Sequence, residues 1–179
     1  RQVRHKWANV AGIDTFYREA GPPDAPVVLL PHGYPCSSHE FRNLIPALAD
    51  KWRLLAPDFP GSGYTREPAG FQHDFDGYST FLEQFADTAK ASRFALYLHD
   101  FGSWIGLRLA IRRPERIAAL IIQNGDIYED ALGPKYASLR KYWNNPTPEK
   151  RAALDDAVSL AGFKEEFLND VRSELADLI

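Results

Sequence analysis

The run Phe94-Ala95-Leu96-Tyr97-Leu98-His99-Asp100-Phe101-Gly102-Ser103 decides the fold. Its first five residues are apolar or aromatic, the composition of a buried strand. A helical pattern follows over 102–113 and is closed by Pro114, which cannot continue a helix. Strand therefore passes into helix through one acidic residue, with Gly102, Ser103 and Gly106 supplying small side chains on the helix side. Such a turn would hold a nucleophile exposed at its tip. The N–H groups and positive dipole end of the helix behind it would favour developing negative charge.

Working outward, Ile117 to Ile122 is the next strand, and Trp52 to Ala56 and Val27 to Leu30 are earlier ones. Residues 2–9 and 13–19 read as two strands joined at Ala11-Gly12, and Gly21-Pro22-Pro23-Asp24 as a loop. Ser38 is expected to cap a helix running to about Asp50, with Phe41, Leu44, Ile45 and Leu48 on one face. A second helix is expected over 75–91. Strands alternating with helices predict an α/β protein with a mostly parallel sheet and helices on both faces. From about Glu129 the chain turns rich in Lys, Glu and Asp with no further strand. The expected division is a core over 1–128 and a helical cap segment over 129–179.

With 179 residues, 45% of them apolar, the chain can bury a real core. A net charge of −3, spread along the chain, gives no electrostatic reason for a nucleic-acid or anionic-membrane partner. No apolar run nears the roughly 20 residues that span a bilayer. The start, Arg1-Gln2-Val3-Arg4-His5-Lys6, lacks the apolar stretch of a signal peptide. The single cysteine, Cys36, forms no internal disulfide and fits a reducing compartment, so a cytoplasmic location is the expectation. The absence of methionine suggests a trimmed or processed chain. No metal or cofactor is expected.

Three segments at strand ends carry the chemistry: Pro31-His32-Gly33-Tyr34-Pro35, Ala56-Pro57-Asp58-Phe59-Pro60-Gly61-Ser62-Gly63, and His99-Asp100-Phe101-Gly102. In order and placement they resemble the H-G-x-P, D-x-P-G-x-G and H-D-x-G segments of the α/β-hydrolase superfamily, in its epoxide hydrolase and haloalkane dehalogenase branch. The resemblance runs from about Val27 to Trp143 and implies the α/β-hydrolase fold without its C-terminal strands. It also implies that Asp100 is a nucleophile attacking an alkyl carbon, giving an alkyl ester that water, activated by a histidine, then hydrolyses. The oxyanion donors would be the backbone N–H groups of Tyr34 and Phe101. His32, Gly33 and Pro35 would support that loop, and Tyr34-Pro35 is a candidate cis peptide.

On spacing alone Asp100 reads equally well as a helix N-cap, and the other two segments tip the reading to catalysis. No G-x-S-x-G occurs, and Ser62 sits in a turn, so a serine esterase has no candidate nucleophile. Asp58 is expected to fix its loop by accepting backbone N–H groups. Asp126, in Gln123-Asn124-Gly125-Asp126, is a candidate catalytic acid or a plain turn residue. Tyr142 is a candidate cap proton donor, with packing against Trp143 the competing role. Leu98 stands two residues before Asp100, where the family has a small residue, and is expected to crowd the turn.

All five histidines, His5, His32, His39, His73 and His99, precede Asp100, whereas the family's catalytic histidine comes after the last strand. The expected function is therefore an epoxide-hydrolase-type hydrolase that is incomplete in these residues, acting on a small apolar electrophile and water. The alternatives are a haloalkane dehalogenase and a non-catalytic hydrolase-like binding protein or fragment. Phe101 and Tyr34 stand where dehalogenases carry halide-gripping N–H donors, and a phenyl ring offers none. An open sheet edge left by absent strands points to a homo-oligomer or a missing C-terminal part.

Overall fold

The computed structural model describes residues 2–125, 128, 133, 136–155, 159–168 and 171. Arg4–Val10 (β1) and Ile13–Ala20 (β2) form an antiparallel hairpin whose turn, Ala11-Gly12, takes φ of 50° and 93°. Asn9 holds the turn by accepting the Gly12 N–H at 2.9 Å. Four further strands follow, Val27–Leu29 (β3), Arg53–Pro57 (β4), Phe94–His99 (β5) and Ile117–Gln123 (β6). They complete one sheet in the order β1-β2-β4-β3-β5-β6. β4, β3, β5 and β6 run parallel, and the hairpin joins antiparallel through β2 and β4. This is the mostly parallel α/β sheet that the alternation of apolar strands and helices predicts.

Alternate strand residues face opposite sides, as the period of two requires. Leu29, Leu55 and Leu96 point to one face, packing under Phe81, Leu82 and Phe85 of α2 (Phe75–Thr88) and Ile105 and Leu109 of α3 (Phe101–Arg112). Val28, Leu54 and Ala95 point to the other face, where Phe41, Ile45 and Ala49 cover them. On the hairpin side Glu19, 3% exposed, bonds Lys6 and Arg53 at 2.8 Å each, tying β1, β2 and β4 together. Burial raises that carboxyl's pKa, and the two cations more than offset it, leaving it below the usual range.

The helix expected from Ser38 to Asp50 is instead a 3₁₀ turn, Ser38–Arg42, followed by a short helix, α1 (Leu44–Leu48). Pro46 is the reason. In one continuous helix its ring would strike the Arg42 carbonyl, whereas restarting at Leu44 places it in a first turn that needs no donor. The cap is Ser37, whose hydroxyl accepts the His39 N–H, and Ser38 is turned inward and buried. On β6, Leu120, Ile121 and Ile122 are 44–53% exposed.

The chain divides into two compact units, 1–127 and 128–179. The described part of the second holds the helices Ala137–Asn144 (α4), Pro148–Asp155 (α5) and Leu160–Leu168 (α6), and no strand. Among the described residues no helix is long and apolar enough to cross a membrane.

Candidate active site

Because β4, β3 and β5 are parallel neighbours, the loops leaving their carboxyl ends meet at one edge of the sheet, where open α/β sheets bind ligands. Asp100 stands at the tip of the β5–α3 turn with φ 48° and ψ −134°. A residue other than glycine held in such a conformation costs about 1–3 kcal/mol. Asp74 offers an internal contrast. It caps α2 in the ordinary way, extended at φ −133°, with its carboxylate accepting the Gly77 N–H at 2.7 Å. Asp100 also touches its own helix, accepting the Phe101 N–H at 2.6 Å through Oδ1. The same oxygen reaches across to the β3 loop and accepts the Tyr34 N–H at 2.9 Å. A cap alone requires neither the positive φ nor that second donor.

The expected crowding by Leu98 does not occur. Leu98 is fully buried, and its methyl group occupies the space a Cβ on Gly106 would fill, 2.4 Å away. The bulk on the strand is matched by its absence on the helix. Gly33 lets the β3 loop approach Asp100 closely, since a Cβ there would lie 2.6 Å from both Cβ and Oδ1 of Asp100.

Hydrogen bonds from the two neighbouring loops fix this arrangement. His32 Nε2 accepts the Phe59 N–H at 3.1 Å, so its proton sits on Nδ1 and is donated to the Gly33 carbonyl at 2.8 Å. Burial lowers its pKa against the pull of that carbonyl, Asp58 and Asp100, so it is a neutral strut with both nitrogens engaged. Pro35 follows a cis peptide. Asp58, fully buried, accepts the Ser38 N–H at 2.8 Å, the Ser38 hydroxyl and the Tyr64 N–H at 2.9 Å, with Arg18 at 3.9 Å. Glu40 accepts the Gly33 N–H at 3.2 Å. Burial pushes that carboxyl up. The neighbouring Cys36 thiol is pushed up to about 11 by its own burial and by Glu40.

In front of the turn lies a cavity of about 370 Å³ lined by Gly33, Tyr34, Phe101, Phe59, Phe75 and Ile105, with His73 and Tyr78 among its polar groups. The Tyr34 and Phe101 rings stack at 5.6 Å. The carboxylate in its lining is Asp74, and the cavity borders the Asp100 turn through Gly33 and Phe101; a mostly apolar chamber of this kind suits a small electrophile. Of the remaining candidates, Asp126 lies outside the described residues. Tyr142 is half-buried on α4 of the second unit, where Trp143 has the Tyr136 ring at 6.5 Å. Reasoning from sequence missed Glu40, His73 and Tyr78. Glu40 stands among Ser37, Ser38, His39, Arg42 and Asn43, a polar stretch that gave no signal for the first. The other two meet only through the fold of the loop before α2.

Residues 26–171 match the alpha/beta hydrolase fold family. The chain is 41% identical over 142 residues to an uncharacterized hydrolase of Saccharomyces cerevisiae, covering 79% of this chain and 49% of that protein. It is 34% identical over 119 residues to a haloalkane dehalogenase of Bradyrhizobium diazoefficiens, covering 66% and 38%. The crystal structure of epoxide hydrolase A from Mycobacterium thermoresistibile superposes with a TM-score of 0.63 at 28% identity, over 68% of this chain and 39% of that one. The chain thus spans about half, or less, of the length of the curated relatives it matches.

Proposed function

Because the chain belongs to the α/β-hydrolase fold family, we propose that it carries the nucleophile of an epoxide-hydrolase-type enzyme, with Asp100 attacking carbon. One observation carries the reading. Asp100 Oδ1 is held by the N–H groups of Tyr34 and Phe101 at a backbone conformation that capping does not require. That leaves Oδ2 to form the bond to carbon, and among the described residues no hydrogen bond is given to it. In the resulting ester Oδ1 is the carbonyl oxygen. When water adds to Cγ, negative charge collects on Oδ1, where both donors already point. The Cγ–Oδ2 bond then breaks and the alcohol leaves. That second step needs a general base, and none of the described histidines is assigned to it.

Haloalkane dehalogenase is the second reading, favoured by the 34% identity to a protein of that name. Against it, the residue after the nucleophile is Phe101, whose side chain has no N–H to hold a departing halide. The test is an intact mass spectrum before and after incubation with a reactive epoxide. A single adduct, absent in Asp100→Asn, supports the proposal. No adduct would demote Asp100 to a cap and favour a non-catalytic binding protein.

A further inference from the structure

We infer that Glu40 is a positioning residue for the nucleophile: its carboxyl fixes the His32–Gly33 peptide, so that the next N–H, that of Tyr34, is delivered to Asp100 Oδ1. The inference rests on Asp100 being the nucleophile.

The site needs glycine at position 33, because a Cβ there would lie 2.6 Å from Asp100. Glycine also brings more backbone freedom than any other residue. Freedom at this point would swing the Tyr34 donor, so the peptides on both sides of Gly33 have to be held from outside. On one side, the Gly33 carbonyl accepts His32 Nδ1–H at 2.8 Å and the Cys36 N–H at 3.1 Å. A trans peptide is planar, with its C=O and N–H opposed. Those two bonds therefore aim the Tyr34 N–H the opposite way, at Asp100 Oδ1, 2.9 Å off. On the other side, the Gly33 N–H goes to Glu40 Oε2 at 3.2 Å.

Glu40 is itself braced. It lies on the 3₁₀ turn Ser38–Arg42, of which Ser38 and Phe41 are buried. Asp58, just after β4, accepts the Ser38 N–H at 2.8 Å. A line of fixed groups thus runs from the β4 loop through this turn to Gly33. The cavity lining includes Gly33 and Tyr34 but not Glu40, so the carboxyl acts on the reaction through the loop.

A neutral acceptor suits this place. Oε1 is buried with no hydrogen-bond partner among the described residues, a poor setting for carboxylate charge. The titratable groups facing the carboxyl are Cys36 before its turn, His99 at the end of β5, and Asp100. Burial and the Asp100 charge raise its pKa, against the pull of the Gly33 N–H and His99. A proton kept to higher pH spares the nucleophile a second negative charge close by. Glutamine offers Gly33 the same neutral oxygen.

The test forms the Asp100 ester with 1,2-epoxybutane and then breaks it with hydroxylamine, following both steps by intact mass. The hydroxylamine nitrogen adds to Cγ, charge collects on Oδ1, and the Cγ–Oδ2 bond breaks. The alcohol leaves with a proton from that nitrogen, and a hydroxamate remains at residue 100. Breakdown therefore reads the Tyr34 donor, whereas formation puts no charge on Oδ1. Glu40→Leu is expected to slow breakdown about tenfold or more and to slow formation less. Glu40→Gln should recover most of the loss. Hydrogen exchange at the Tyr34 amide should quicken about tenfold in Glu40→Leu and fall back in Glu40→Gln. Equal losses in both steps, no loss in breakdown, or a Gln variant no better than Leu would overturn the inference. If wild type forms no ester while Tyr34 exchange still responds to Glu40→Leu, the nucleophile reading fails and the hold of Glu40 on the loop stands. No ester and no change in exchange would overturn both.

Discussion

Gly33→Ala is the sharpest perturbation of the site that leaves its chemistry untouched. Gly33 is not in the left-handed region of backbone space, so alanine can take its conformation without strain. Its new methyl would sit 2.6 Å from Asp100 Cβ and Oδ1. That is roughly 0.9 Å short of the separation at which carbon atoms rest. Asp100 is fixed by the sheet behind it, so the carboxylate must swing away from the β3 loop. The Tyr34 N–H bond, now 2.9 Å, would stretch past the limit of a useful hydrogen bond. Losing one donor of this kind costs about 2.7–4 kcal/mol in the later hydrolysis of the ester, where charge collects on Oδ1, and not in its formation. A displacement near 1 Å at a reacting atom is by itself worth about 10². We expect Asp100 ester formation with 1,2-epoxybutane to slow by about 10² through that displacement, with an unchanged near-ultraviolet circular dichroism spectrum. Ester formation within about threefold of wild type would refute the claim that the Gly33–Asp100 approach sets the site.

Three further outcomes are expected. Asp58→Asn removes the charge facing buried Arg18 and turns an amide toward the Ser38 and Tyr64 N–H donors. It should cost about 3–5 kcal/mol in urea unfolding, and a loss below about 1 kcal/mol would show that the network is incidental. Gly106→Ala should destabilise by about 1–3 kcal/mol through its clash with Leu98. Combining it with Leu98→Ala should recover at least about 0.5 kcal/mol of that in a double-mutant cycle, and strict additivity would contradict the pairing. Glu40 has a pKa raised by burial, so its stabilising share is complete below the unfolded value near about pH 4.3 and is lost as pH rises through the folded value. Glu40→Gln has no proton to lose and should gain in thermal stability relative to wild type from about pH 4 to about pH 7. A constant difference across that range would count against a raised pKa.

The strands were legible because a parallel sheet buried on both faces needs unbroken apolar runs, and Val27–Leu30 and Phe94–Leu98 are such runs. The turn at Asp100 was legible because small residues had to follow it. Pro46 was a visible signal for the broken helix, outweighed by the apolar spacing of Phe41, Leu44, Ile45 and Leu48. Other features lay beyond one-dimensional reading. Leu98 looks crowded until Gly106 is seen opposite it. Ser38 looks like a cap until Asp58 and Arg18, each 20 or more residues from one or other partner, are seen to hold it. Tyr78 falls within the helix expected over 75–91 and His73 just before it, and only the chain's path before α2 brings the imidazole to the phenol.

A carboxylate in water is symmetric, its two oxygens trading places with each half-turn about one bond. Asp100 has lost that symmetry, because two backbone donors hold Oδ1. Trading places would break both charge-assisted bonds, each worth about 1.5–3 kcal/mol. In the proposed reaction the two atoms therefore have different fates. Oδ1 stays with the protein through every cycle, while Oδ2 departs with the product and is replaced from water. Each alcohol so released would carry away an oxygen atom that had belonged to the polypeptide.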